Sequence, residues 1–196
     1  MKHTFIIILF LAFSAMSYGQ DFKKNIATAQ TNYTAGNLQD AHFALLQMMQ
    51  DLDITIGKEV LKLFPASLDS LTAVGKTDNV YGSSQFTGVT IEKNYGQFAK
   101  KASLNVVINS PLLNALNAYI SSPLMAGFGG DPNTKIVKVG SYKARLNKDA
   151  DDENTYRLEV PLSNALLSLK ISNSNEAEIM SLATQLPIAK MASLLQ

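Results

Sequence analysis

The chain of 196 residues has no cysteine, no tryptophan, only two histidines and a formal charge of +1. Each shortage excludes something. Without cysteine there is no disulfide, no thiolate nucleophile and no thiolate-held metal, so the protein must hold itself together through its core. A charge near zero gives no general attraction for nucleic acid or for an anionic membrane. The missing tryptophan weighs against a carbohydrate-stacking site. The apolar run 5–13 is nine residues long, well short of the roughly 20 needed to cross a hydrocarbon core of about 30 Å.

That run has another meaning. Lys2 and His3 precede it as a short positive end, and Ser17-Tyr18-Gly19 follows it with small residues at the third and first positions before Gln20. This is the pattern of a secretory signal cut between Gly19 and Gln20. No cysteine follows the apolar run, so acylation of a thiol is not the anchoring route. The expectation is export to a bacterial periplasm or beyond. Lys2 leaves with the signal, taking 17 basic residues to 16, against 16 acidic ones.

Within 37–64, Leu38, Ala41, Leu45, Met48, Leu52, Ile56, Val60 and Leu63 recur at steps of three and four, the spacing of one helix face. Asn37 is suited to cap the start, and Pro65 ends the helix by pushing its predecessor out of the helical region. A second apolar row, Phe43, Leu46 and Ile54, predicts that both flanks are covered. Before it, 21–35 reads as a helix with Phe22, Ile26, Ala29 and Tyr33 on one face, and Gly36 breaks the two apart as an antiparallel hairpin. Ala29, Tyr33, Gly36, Leu38 and Ala41 resemble the turn region of one tetratricopeptide-type helical pair, over about residues 22–51. No second copy follows at the family's period of about 34 residues, so the resemblance implies a hairpin and not a solenoid.

From 66 to 84 the composition turns to Ser, Thr, Gly, Asp and Asn, which reads as a linker. Beyond it the period becomes alternating. Phe86, Gly88, Thr90/Ile91 and Tyr95 mark one strand, and Leu104, Val106 and Ile108 a second. Pro111 opens a helix through Leu112, Leu113, Leu116 and Tyr119. Then come Ile136/Val137/Val139, Tyr142/Ala144/Leu146, Tyr156/Leu158/Val160 and Leu166/Leu167/Leu169/Ile171 as strands, and an amphipathic helix over 177–186 capped by Ser174. Short polar turns between strands require antiparallel neighbours. The fold class is therefore α+β: a signal at 1–19, a helical hairpin with one long helix at 20–65, a linker at 66–84, and a mainly antiparallel sheet with two helices on one face at 85–196. The element order is similar to that of small exported domains of the lipoprotein-carrier or photosystem-assembly type, which implies a curved sheet cupping a ligand or partner. The hexapeptides 111–116 and 161–166 share five of six letters and read either as a duplicated unit or as coincidence.

Reactive groups are scarce. After cleavage His42 is the one histidine, on the long helix with no serine elbow anywhere in the chain, and reads as a surface residue. Asp149, Asp151 and Glu153 place hard oxygens at alternate positions, the start of a calcium-loop pattern. Asn154 stands where that loop needs glycine and Val160 where it needs glutamate, so a carboxylate-rich hairpin turn is the competing reading. Gly127-Phe128-Gly129-Gly130-Asp131 lacks the Lys and Ser/Thr of a phosphate loop. Its apolar members, Leu124, Met125 and Phe128, offer either a contact surface for a ligand or partner, or a cover for the sheet. No cofactor motif and no poised nucleophile is present. The function expected is a non-enzymatic binding or assembly module of the bacterial envelope, meeting an unknown envelope protein, or else a periplasmic carrier of an apolar ligand or lipid.

Overall fold

The computed structural model describes residues 17–75, 78–82, 88–110, 113, 114, 118, 132–152 and 154–196. The chain falls into two compact units, Met1–Leu52 and Asp53–Gln196.

In the first unit, α1 (Ser17–Thr34) and the start of α2 (Leu38–Lys62) form the hairpin. Its turn is a Schellman closure: Gly36 takes φ +78°, Asn37 N–H donates to Asn32 O at 2.9 Å, and Gly36 N–H donates to Tyr33 O at 3.1 Å. Asn37 then starts α2, its carbonyl accepting from Ala41 N–H at 3.0 Å. Asn25 donates to Asp51 at 3.1 Å across the pair. Helix α1 starts at Ser17 rather than at 21, and so runs through the expected cleavage point. The two buried apolar rows expected of the long helix are absent in this unit. The described residues buried here are Ala29, Ala41 and Ala44, while Leu38, Phe43, Leu45, Met49 and Leu52 are exposed, and Tyr33 is 72% exposed. Alanines suit a close approach of two helix backbones, which leaves the large side chains pointing outward.

In the second unit α2 continues unbroken to Lys62 and ends ahead of Pro65 as expected. The stretch expected as a linker instead carries structure: β1 (Ser67–Leu68), β2 (Leu71–Thr72) and β3 (Asn79–Gly82). Its composition is that of a loop, yet Leu68 and Leu71 are buried in the core, and Asp69 supplies the left-handed turn between them. The strands β4 (Val89–Gln97), β5 (Lys100–Ile108), β6 (Thr134–Val139), β7 (Tyr142–Lys148), β8 (Tyr156–Pro161) and β9 (Ala165–Ile171) follow, then α3 (Glu176–Thr184) and α4 (Ile188–Leu194). Seven strands form one sheet in the order β3-β4-β5-β9-β8-β7-β6, antiparallel at every described pairing.

Two meanders are thus joined along β5 and β9. Register carries one core row across the sheet: Ile91 faces Val106, Val106 faces Leu167, and Leu167 faces Val160. All four are at or near zero exposure. Residues 53–62 of α2, with α3 and α4, supply Val60, Ile179, Leu182, Ala183, Ile188 and Met191 to the same core. The cap of α3 is Asn175 rather than Ser174: its side chain accepts from Glu178 N–H at 3.0 Å, and Ser174 Oγ donates to Glu178 Oε2 at 3.1 Å. Helix α4 follows Pro187, beyond the helix expected over 177–186. Most of the helix expected from Pro111 lies outside the described residues. Leu113 and Asn114 are helical, and Leu113 is buried with Leu166, which the alternation of β9 turns away from the core row. Ser163-Asn164 form the β8–β9 turn, closed by Leu162 N–H to Ala165 O at 2.8 Å, so the middle residues of the two similar hexapeptides differ in local structure.

Gly57 is where α2 meets the sheet. A Cβ built there would lie 2.8 Å from Val80 Cγ1 and 3.3 Å from Ile91 Cγ1. Gly57→Leu is expected to lower the unfolding free energy by about 1–3 kcal/mol through overpacking, read as a lower urea midpoint; an unchanged midpoint would show this contact to be loose.

Candidate functional site

Strand alternation gives the sheet a second face, turned away from α3 and α4. Matching residues across the register, one row reads Asn94, Ser103, Lys170, Arg157, Asn147 and Thr134. The next reads Asn79, Glu92, Asn105, Ser168, Glu159, Arg145 and Ile136. Polar side chains dominate both. Arg145 Nε donates to Oε2 of the buried Glu159 at 2.8 Å.

At one end of this face lies a trough of about 660 Å³, lined by Val74, Asn94, Gly96, Phe98, Lys101, Ser103, Asp152, Thr155, Lys170 and Ser172 among others. Its floor comes from β4, β5 and β9. Val74 is held beside β4 by its N–H donating to Asn94 O at 2.8 Å. One wall is the two-residue turn Phe98-Ala99 between Gln97 and Lys100. Gly96, before the turn, takes φ +73°, and a Cβ there would come within 2.4 Å of Lys100 O, so the close approach needs glycine. Phe98 takes φ +58°, a left-handed backbone uncommon for a bulky residue, and its side chain is 89% exposed.

This turn is tied to two others. Lys101 N–H donates to Ser172 Oγ at 3.0 Å, and Ser172 N–H returns a bond to Lys101 O at 2.9 Å. Asn173 Nδ2 donates to Ala99 O. Ser174 N–H donates to Asn154 O at 2.8 Å, joining the β9–α3 turn to the β7–β8 turn. There Thr155 Oγ1 donates to Asp152 Oδ2 at 2.6 Å, and Asn154 N–H donates to Asp152 Oδ1 at 3.2 Å. The Thr155 hydroxyl and then the Asn154 amide hold the Asp152 carboxyl below its ordinary range. Lys100 pairs with Glu178 behind the turn.

The residues expected to act from sequence are distributed differently. Leu124, Met125, Phe128 and Glu153 lie outside the described residues. Asp149 and Asp151 sit in the β7–β8 turn, where Asp149 Oδ1 accepts from Asp151 N–H at 3.1 Å and Asp149 Oδ2 lies 3.8 Å from Lys170 Nζ. Among the described residues no group of three or more His, Cys, Asp or Glu side chains is placed to share a metal ion. His42 is exposed on α2, in the other unit. Sequence reasoning missed the trough because its floor is assembled by register from ordinary Asn, Ser and Lys positions. The one local signal was an aromatic residue just past Gly96, between two alternating segments.

A second, smaller recess of about 50 Å³ is lined by Asp53, Ile56, Ile108, Asn109, Asn164 and the last residues of the chain. Asn109 Nδ2 donates to Asp53 Oδ1 at 2.7 Å. Burial raises the Asp53 pKa and that hydrogen bond offsets part of the shift. The space suits a water rather than a ligand. Tyr95, buried under the trough, donates to Pro65 O at 3.0 Å, and burial together with the nearby Asp78 charge keeps its phenol protonated.

No family model, no curated protein and no solved structure matches this chain.

Two outcomes follow from the geometry. Phe98→Gly is expected to leave stability no lower than the native value and to raise it by up to about 1 kcal/mol, because glycine relieves the left-handed strain; a loss of that size in urea unfolding would show that Phe98 packs against the fold. Asp53, with its folded pKa raised, costs stability while ionised, and that cost is lost as pH falls through the folded value. Asp53→Asn should therefore unfold later than the native chain at pH 7, with the advantage shrinking toward about pH 4; a constant difference across that range would contradict it.

Proposed function

We propose that the chain is an exported, non-enzymatic binding module of the bacterial envelope and that the trough at the β4–β5 turn is where it meets its ligand or partner. The observation that carries this reading is Phe98. A large apolar side chain is held in solvent on a left-handed backbone, at a turn cross-tied by hydrogen bonds, beside a concavity of about 660 Å³. Strain of this kind is retained where a site uses it. The volume falls within the roughly 300–1,000 Å³ usual for small-molecule sites. The same volume favours a second reading, a carrier that takes an apolar small ligand along this floor.

Binding is favoured over catalysis by the state of the charged groups. Asp152 is held ionised by its two donors and is a weak base for that reason. Export rests on the signal pattern of 1–19, with Gln20 as the first residue of the mature chain.

The test is photo-cross-linking in the native host from benzoylphenylalanine placed at position 98, with position 190, an exposed lysine on α4, as control. The expected result is an adduct from 98 absent from 190, in a chain recovered from the envelope fraction whose mass begins at Gln20. Equal adducts from both positions, or none from 98, would overturn the trough. A chain retained in the cytoplasm with residues 1–19 intact would overturn export.

A further inference from the structure

We infer that the trough selects an amphipathic anion, its single carboxylate or phosphate head seated between Lys101 and Lys170 and its apolar body lying against Phe98 and Val74. This deepens the reading of the trough as a binding site and rests on it.

The argument begins with register. Ser103 lies directly opposite Lys170 in the β5–β9 pair, and Lys101, two residues earlier on β5, shares the face and sits diagonal to it. Diagonal neighbours of this kind have Cα atoms about 7–8 Å apart. Two ammonium groups at that spacing repel each other unless an anion lies between them. The ammonium of Lys101 has no partner among the described residues, and Lys170 has Asp149 at 3.8 Å. The Ser103 hydroxyl, between the two, also has no hydrogen-bond partner among the described residues. Two cations and a hydroxyl donor therefore line the same trough from adjacent register positions. A carboxylate or phosphate oxygen satisfies all three, and charge-assisted bonds are the strong ones.

The wider face supports the sign. By the alternation of β4 to β9, Lys101, Lys138, Lys143, Arg145, Arg157 and Lys170 lie on it, against Glu92 and Glu159. The rim limits the number of charges on the ligand. Asp152 lines the trough and Asp149 lies 3.8 Å from Lys170 Nζ, so a second negative group following the first would meet acidic side chains. That disfavours polyphosphates and nucleic-acid strands and favours a lone head. Phe98 and Val74 then account for the body, since an inorganic ion would leave both in water.

Dodecyl phosphate and dodecanoate, titrated below their micellar concentrations and followed by amide NMR shifts, test the head. Dodecyltrimethylammonium carries the same tail with the opposite charge, and inorganic phosphate carries a head with no tail. Both anionic amphiphiles are expected to move the amides of Phe98, Ser103 and Lys170, and to bind at least about ten-fold tighter than either control. Lys101→Gln with Lys170→Gln should weaken them about ten-fold or more while the unfolding temperature stays unchanged. A preference for the phosphate would point to a phospholipid head as the natural source, and a preference for the carboxylate to a free acid. Equal binding of the cationic amphiphile, or undiminished binding by the double variant, overturns the anion claim and leaves the trough standing as a site. Inorganic phosphate binding as tightly as dodecyl phosphate overturns the amphipathic claim. No shift at the trough with any probe overturns the inference outright, and the cross-linking from position 98 then decides the trough on its own.

Discussion

The pairing of β5 with β9 is the contact on which the second unit depends. Each strand belongs to a different meander, β3-β4-β5 on one side and β6-β7-β8-β9 on the other, and seven residue pairs from Ala102–Ile171 to Ile108–Ala165 join them. A one-residue slip there would turn Leu104, Val106 and Ile108 away from the helices and bring Ser103 and Asn105 inward. The burial of Leu104, Val106, Leu167 and Leu169 makes that slip expensive, since each apolar side chain contributes about 1.5–3 kcal/mol by leaving water. The same register that completes the core sets Lys101, Ser103 and Lys170 side by side on the other face. Core and trough are two sides of one alignment.

That alignment also brings three turns together at the end of the sheet where the trough lies. The hydrogen bonds between Lys101 and Ser172, Asn173 and Ala99, and Ser174 and Asn154 bind the three turns to one another. Left-handed residues stand in two of them, Phe98 and Asn173. Asparagine tolerates that backbone through its short polar side chain, and here it also spends that side chain on the neighbouring turn. Phenylalanine has no such compensation. Its conformation is imposed by the bonds around it, which is what preorganisation of a contact residue requires.

The elements legible in the sequence are those whose side chains alternate or recur strictly. Leu104/Val106/Ile108, Tyr142/Ala144/Leu146 and Tyr156/Leu158/Val160 lie on strands, and the uninterrupted helix from Leu38 to Lys62 carries the three- and four-residue spacing. Segments too short to show a period were missed. Strands β1 and β2 have two residues each, and a window of Ser, Asp and Thr conceals Leu68 and Leu71. Helix α4, seven residues long, was not expected from sequence, being too short to show a clear period. The hairpin was legible in outline and not in packing, because periodicity reports that a face is apolar and not that alanines will occupy the buried positions. The trough was the least legible feature. Nothing local distinguishes Ser103 from Asn105, and only the pairing of distant strands brings Lys170 beside it.

Among the described residues the sheet ends in strands β3 and β6 and does not close on itself. Among the described residues no strand neighbours β6 on one flank, and Lys135 and Lys138 stand on opposite faces of it, the first joined to Glu176 at 2.7 Å and the second directly across from Lys143. A strand from another molecule sliding alongside would have to dehydrate an ammonium whichever face it favoured. Charge on that border thus works against edge-on growth into fibrils.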